Sequence, residues 1–190
     1  MKIAFDLDSV VIDTYPTLRN CIYEKYGYDI IHTMDKFKIN VPNIEPYNME
    51  YEINNIIANN PPAPIQSSVD FINYSDVCDG QNKIIFITAR PKYIEKETID
   101  WLDTYINRDY EVYFEPKKSI IIQKLNIDYF VDDRFKYIVD VSPHLRYGFL
   151  FNQPWNENKE ILTTDNIIRI FDLKALGNFI KCGDLTSLAI

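Results

Sequence analysis

Residues 1–13 read MKIAFDLDSVVID, and this stretch decides the fold. Ile3 to Phe5 make a short apolar run of the kind that forms a buried strand, and two carboxylates, Asp6 and Asp8, follow two residues apart. A strict two-residue period would put both on one side of a strand, whereas a loop opening at the strand's end would fold both around one small cation. Carboxylates held this closely repel, and a hard divalent ion such as Mg2+ relieves the repulsion by oxygen ligation. One Asp can then stay ionised as a nucleophile while the other exchanges a proton. An exposed acidic turn after a strand has the same letters, so the pair alone leaves both readings open.

Three later stretches bear on that choice. Residues 83–91, KIIFITARP, are an apolar strand that ends in Thr88, Ala89 and Arg90. Residues 115–118, EPKK, open an amphipathic segment with two ammonium groups, Lys117 and Lys118. Residues 128–134, DYFVDDR, are another apolar strand, closed by Asp132 and Asp133. A carboxylate pair, a hydroxyl, a lysine and a second acidic pair thus follow in order. The series resembles the four motifs of the haloacid dehalogenase (HAD) superfamily: DxD, then T/S, then K, then DD. The Asp6-x-Asp8-x-Val10 form, the Thr88-Ala89-Arg90 triplet and the segment FNQPWN at 151–156 look most like its 5'-nucleotidase and 5'(3')-deoxyribonucleotidase branch.

The resemblance implies a Mg2+-dependent phosphomonoesterase that works through an aspartyl-phosphate. On that basis Asp6 attacks phosphorus and ligates the metal, and Asp8 protonates the leaving alkoxide and later deprotonates water while its backbone carbonyl meets the metal. Asp132 is the third protein ligand. Asp133 is left between orienting water at the metal and capping the following helix. Thr88 and the backbone N–H of Ala89 would bind phosphoryl oxygens, with Arg90 either on the substrate phosphate or in a surface salt bridge. Lys118 follows the family register better than Lys117 and is taken as the motif lysine. Ser9 stands where the family usually has glycine, which narrows the tolerance for a positive φ. Thr14 stands where the branch often has an aromatic, and Tyr15, one position later, is either a base-stacking ring or a core residue. Trp155 either lines the rim of the site or closes the base of the sheet; structural closure is the favoured reading.

In chain order, a helix follows Asp13, with Thr14 as N-cap, Pro16 in its first turn and Gly27 as its stop. Residues 28–49 read as irregular, a second helix spans about 49–58, and Asn59 to Pro64 form a stiff break. Residues 14–64 are therefore expected to be a small helical cap inserted after the first strand, or else ordinary crossovers packed on the sheet. Residues 1–13 and 65–190 are expected to form the core. From Ile65 onward helices at 65–77, 92–106, 117–125 and 134–140 alternate with strands at 83–88, 111–114, 128–131 and 146–151. Ile167 to Ile170 read as a further strand and Asp172 to Ile180 as a terminal helix; Gly183 to Ile190 are left between a strand-like end and a tail. This alternation predicts an α/β, Rossmann-like doubly wound parallel sheet. Asp6, Thr88 and Asp132 all fall at strand C-termini, where such sheets bind ligands.

Composition narrows the function classes. A net charge of −8 speaks against a general nucleic-acid or anionic-membrane binder, although a lysine and a bound cation can reverse the field locally. Cys21, Cys78 and Cys182 are odd in number and lack a CxxC pair, as expected of reduced thiols in the cytoplasm; His32 and His144 are too few and too far apart for zinc. No apolar run has the length of a membrane span. The expected partner is a small phosphorylated substrate, a nucleotide first, with no membrane and no stable nucleic-acid complex. The alternatives are the same chemistry on a sugar phosphate or a polynucleotide end, and a non-catalytic binding protein of the same fold.

Overall fold

Strands β1 (Lys2–Phe5), β2 (Lys83–Thr88), β3 (Tyr110–Phe114), β4 (Tyr129–Asp132), β5 (Tyr147–Phe151) and β6 (Ile167–Ile170) form one sheet in the order β3-β2-β1-β4-β5-β6. Every neighbouring pair is parallel. The computed structural model describes residues 1–30, 39, 41–157 and 166–182. The strand order reverses between β1 and β4, which opens a crevice beyond their C-terminal ends.

Alternation along the strands divides the core between two faces. Ile3, Phe5, Phe86, Val131 and Phe149 pack with residues of α3 (Gln66–Tyr74), α4 (Glu95–Tyr105) and α7 (Leu173–Cys182). Ala4, Ile85, Ile87, Phe130 and Leu150 pack on the other face against α5 (Ser119–Leu125) and α6 (Phe135–Val141). Burial on both faces explains why these strands read as continuous apolar runs rather than as alternating ones.

The remaining helices, α1 (Thr14–Tyr26) and α2 (Pro46–Asn59), have an apolar cluster of their own built on Leu18, Ile22, Ile30, Val41, Met49, Ile56 and Ile57. Two chain passages join this helical segment to the sheet and run against each other. Asp13 N–H donates to the Ala63 carbonyl at 2.8 Å, and Ile65 N–H donates to the Val11 carbonyl at 2.8 Å. The Trp101 indole of α4 anchors the returning passage through the Pro62 carbonyl at 2.8 Å.

Two local expectations change. Thr14 is the first helical residue rather than the N-cap; Asp13 holds that position without a side-chain bond, and the Thr14 hydroxyl donates to Asp8 instead. The helices expected at 65–77 and 92–106 are shorter, because α3 ends before a 3₁₀ turn at Asp76–Cys78 and α4 begins after one at Lys92–Ile94. Gly27 does stop α1, at φ 64°, with its N–H on the Tyr23 carbonyl. Among the described residues no helix is long and apolar enough to cross a membrane. His32 and Gly183 to Ile190 lie outside the described residues.

Candidate active site

Asp6 follows the last residue of β1, and its N–H continues the parallel pairing by donating to the Val131 carbonyl of β4 at 2.8 Å. The chain then turns tightly. The N–H groups of Val10, Val11 and Ile12 all point at the Leu7 carbonyl, and Ser9, whose N–H donates to Ile12 O, sits at φ 62°. That is the left-handed conformation the sequence flagged, taken by a serine rather than a glycine, at a cost of order 1 kcal/mol.

At the next strand end, Asp132 closes β4 and Asp133 follows. Carboxylate oxygens of Asp6, Asp132 and Asp133 lie within 4.8 Å of one another, all three residues being buried. Lys118, at the N-terminal end of α5 and 2 % exposed, reaches between two of them, with Nζ 2.8 Å from Asp6 Oδ1 and 2.6 Å from Asp132 Oδ2. The rings of Tyr137 and Phe130 flank the ammonium at 5.0 and 5.4 Å. Lys117, one residue earlier, is exposed, so it is Lys118 that the fold brings to the carboxylates.

Asp8 belongs to a second group. Arg90 donates to it bidentately, Nε to Oδ2 at 3.1 Å and Nη2 to Oδ1 at 2.7 Å, and the Thr14 hydroxyl donates to Oδ1 at 2.6 Å. Arg90 is buried and also donates to Thr98 Oγ1 at 3.2 Å. Its ion pair is therefore an interior one, not the surface salt bridge considered from the sequence. Thr88 is fully buried, with its hydroxyl accepting from Arg90 N–H at 3.1 Å, whereas Ala89 is exposed and lines the cavity.

The charges respond to this crowding. Burial, with Asp132 and Asp8 nearby, pushes the Asp6 carboxyl up to about 7 against the pull of Lys118. Burial and the neighbouring Asp132 and Asp6 carry Asp133 well above the usual carboxylate range. Burial works the same way on Asp8, but Arg90 and the Thr14 hydroxyl outweigh it and hold that group below its ordinary value. The donor set suits a hard divalent cation: three carboxylates, oxygen-only ligands and an excess of negative charge.

These groups floor a cavity of about 670 Å³. Asp6, Asp8, Ala89, Arg90, Lys118 and Asp133 line the sheet side. Leu18, Ile30, Met49, Ile53 and Ile57 line the side of α1 and α2, where Glu50 and Asn54 supply polar groups. Tyr15 and Trp155 lie between, with ring centroids 5.9 Å apart and planes inclined by 48°.

No family model matches the sequence, and no curated protein matches it. Solved structures do match. A haloacid dehalogenase-like hydrolase from Streptococcus pneumoniae superposes with TM-score 0.63 at 13% identity, over 94% of this chain and 97% of that one. YfnB from Bacillus subtilis, bound to magnesium, gives 0.61 at 11% identity, over 95% and 98%. CbbY from Rhodobacter sphaeroides in complex with phosphate gives 0.57 at 11% identity, over 100% and 99%; a variant of it in complex with xylulose-1,5-bisphosphate also matches. The chain has the HAD-like fold.

Within the HAD-like fold the structure changes, decides or adds to the sequence reading at several residues. Trp155 does not close the base of the sheet. It is buried at the cavity, its indole N–H donating to Asp133 Oδ2 at 2.7 Å. Asp133 does not cap α6, whose N-cap is Arg134, without a side-chain bond; the carboxylate turns into the acidic cluster instead. Glu50 and Asn54 were not singled out; they stand one position after Met49 and Ile53, where polar letters read as the solvent side of an amphipathic helix.

Proposed function

We propose that this protein is a phosphomonoesterase that transfers the phosphoryl group of a small ester to Asp6 and then to water. The observation that carries the reading is the Asp6–Lys118–Asp132 bridge beside Asp133, at one end of a cavity whose other end is apolar. A dead scaffold has no use for three mutually repelling buried carboxylates. Residues 14–64 act as the cap over residues 1–13 and 65–190.

In this reading a carboxylate oxygen of Asp6 attacks phosphorus; the O–P bond of the acyl phosphate forms as the ester P–O bond breaks. Asp8 gives a proton to the departing alkoxide, then takes one from the water that attacks the same phosphorus, which frees phosphate and restores Asp6. Arg90 and Thr14 hold Asp8 as an anion, the form needed for the second half; an incoming phosphoryl anion favours its protonation for the first. Lys118 stabilises charge growing on the transferring group, while Ala89, which lines the cavity, offers its N–H to a phosphoryl oxygen and Thr88, buried behind it, holds the Arg90 backbone. Asp6, Asp132, Asp133 and the Asp8 carbonyl would hold Mg2+, which when bound supplies positive charge that favours ionised Asp6 and offsets the repulsion of substrate phosphate.

The organic half of the substrate is proposed to be a nucleoside, as a 5'-monophosphate. The Tyr15–Trp155 pair and the apolar side from α1 and α2 offer π-faces and depth that a base can use. A sugar phosphate is the second reading, favoured by Glu50 and Asn54 as hydroxyl partners and by the xylulose bisphosphate on structurally similar CbbY. A side-by-side panel of phosphomonoesters with Mg2+ tests both. Nucleoside 5'-monophosphates should show the higher kcat/KM, and chelation should silence the enzyme. Hexose or pentose phosphates outpacing every nucleotide would reverse the order of the two readings, and no hydrolysis of any ester would overturn the function.

A further inference from the structure

The segment FNQPWN, residues 151–156, is used by none of the four motifs, yet it grips both acidic segments. Asn156 Nδ2 donates to the Asp133 carbonyl at 2.7 Å and to the Phe151 carbonyl at 2.8 Å. Gln153 Nε2 donates to the Ser9 carbonyl at 2.8 Å, on the turn that carries Asp6 and Asp8. Arg169 of β6 holds the loop in turn, donating to Asn152 Oδ1 at 2.8 Å and Asn156 Oδ1 at 2.7 Å. Trp155 is thus presented by a fixed backbone, and its indole makes two different contacts. One is the N–H on Asp133 Oδ2; the other is the ring against Tyr15.

We propose that Trp155 is a positioning residue that sets the Asp133 carboxylate within the acidic cluster while its ring, paired with Tyr15, forms the surface on which the organic group of the substrate rests. The inference builds on the phosphomonoesterase reading. Asp133 is 1 % exposed beside two other carboxylates, and the indole N–H is a directed donor that fixes which way its oxygens point. Filling space would need only a ring of this size; the 2.7 Å bond needs the nitrogen. Tyr15 belongs to α1 and Trp155 to the sheet side, so the pair spans the seam between the two walls. A flat group bound there touches the same indole that orients Asp133. Organic group and acidic cluster are joined through one side chain.

Trp155→Phe separates the two contacts, because it keeps a ring against Tyr15 and deletes the donor. Partners that orient metal ligands change metal affinity by about 10–100-fold when removed. Calorimetry of the substrate-free protein should therefore show Mg2+ binding weakened by about tenfold or more in Trp155→Phe, a larger change than that in KM for a nucleoside monophosphate at saturating Mg2+. Tyr15→Leu should do the reverse, raising KM and sparing Mg2+ affinity. In an Asp133→Ala background, which lacks the acceptor, Trp155→Phe should weaken Mg2+ binding no further. Unchanged Mg2+ affinity in a folded Trp155→Phe protein, or a full additional loss in the Asp133→Ala background, overturns the proposal. A second readout does not need that variant to fold. The chain has two tryptophans, so Trp101→Phe leaves Trp155 as the one tryptophan, and its fluorescence, excited beyond the tyrosine band, should change as Mg2+ is added. Constant emission across a titration that calorimetry shows to saturate overturns the proposal. Failure of the underlying reading looks different: the wild type itself would neither bind Mg2+ nor hydrolyse any monoester.

Discussion

The sheet-side wall of the cavity and the wall of α1 and α2 come from the chain in different ways. On the sheet side most polar groups follow an apolar run: Asp6 after Ile3–Phe5, Arg90 after β2, Asp133 after β4, with Lys118 added from the start of α5. The strands are buried and parallel, so their C-terminal ends converge at the reversal of strand order, and residues more than a hundred positions apart meet within a few ångströms. The opposite wall has no such punctuation. Leu18, Ile30, Met49 and Ile57 line the cavity and also belong to the helical segment's own cluster, so a single set of apolar letters serves stability and binding together. In the proposed function, chemistry at this site belongs to one wall and the fit of the organic group to the other.

The largest effect expected is on the charged wall. Asp6→Asn should lower kcat by about five orders of magnitude or more, the scale of losing a covalent nucleophile. Its melting temperature without Mg2+ should not fall, because one of three buried, mutually repelling carboxylates has become neutral while Lys118 keeps Asp132. Calorimetric melting beside a turnover assay checks both halves; a folded variant with near-normal turnover would break the assignment of this wall to chemistry.

Lys118→Ala should lower kcat/KM by about two to three orders of magnitude, as for removal of a preorganised charge-stabilising group. It should also cost about 3–5 kcal/mol of stability in metal-free buffer, since Asp6 and Asp132 lose their common partner in the interior. Lys117→Ala should do neither. Denaturant titration with and without Mg2+ separates the electrostatic loss from simple misfolding.

On the other wall the effect should be smaller and of another kind. Loss of a stacking ring costs about 1–3 kcal/mol per base. Tyr15→Leu should therefore reduce kcat/KM for a nucleoside monophosphate by about tenfold and leave a small ester such as glycerol phosphate nearly unaffected. Equal losses on both substrates would mean that Tyr15 supports the charged wall rather than reading the organic group.

The smallest effect concerns the turn between Asp6 and Asp13. Ser9→Gly removes the left-handed strain of a side chain at φ 62° but frees the unfolded chain, two terms of about 1 kcal/mol and opposite sign. Thermal melting should shift by no more than a few degrees, with kcat unchanged, since the carbonyl that accepts from Gln153 is retained.

The same contrast explains what the sequence could reveal. The sheet, its faces and the placing of Asp6, Thr88 and Asp132 at strand ends were legible because apolar runs end in polar groups there, whereas Lys118 opens a helix and was chosen over Lys117 on the register of the HAD resemblance. The positive φ of Ser9 was not read from the letters: the HAD resemblance marked the position as one that usually holds glycine, and a serine there narrowed that expectation. Trp155 was not legible. Its partner Asp133 is 22 residues away on a different strand end, and an indole in a loop has no periodicity to betray which way it faces. Thr14 was misread for a related reason: a hydroxyl before a helix is a good N-cap, but the helix begins one residue earlier, at Thr14 itself, and the hydroxyl donates to Asp8, outside the pattern that a cap is read from.

The central claim is that phosphoryl transfer passes through Asp6, and trapping the intermediate tests it most directly. In Asp8→Asn the base that activates water is gone, while p-nitrophenyl phosphate, with its weakly basic leaving group, does not need the acid. Mixed with that ester and Mg2+, then acid-quenched and digested, the variant should yield the peptide containing Asp6 with a phosphoryl group on that residue, together with a burst of nitrophenol matching the enzyme concentration. A burst with the phosphoryl group on any other residue, or steady release of nitrophenol with Asp6 unmodified throughout, would contradict the account.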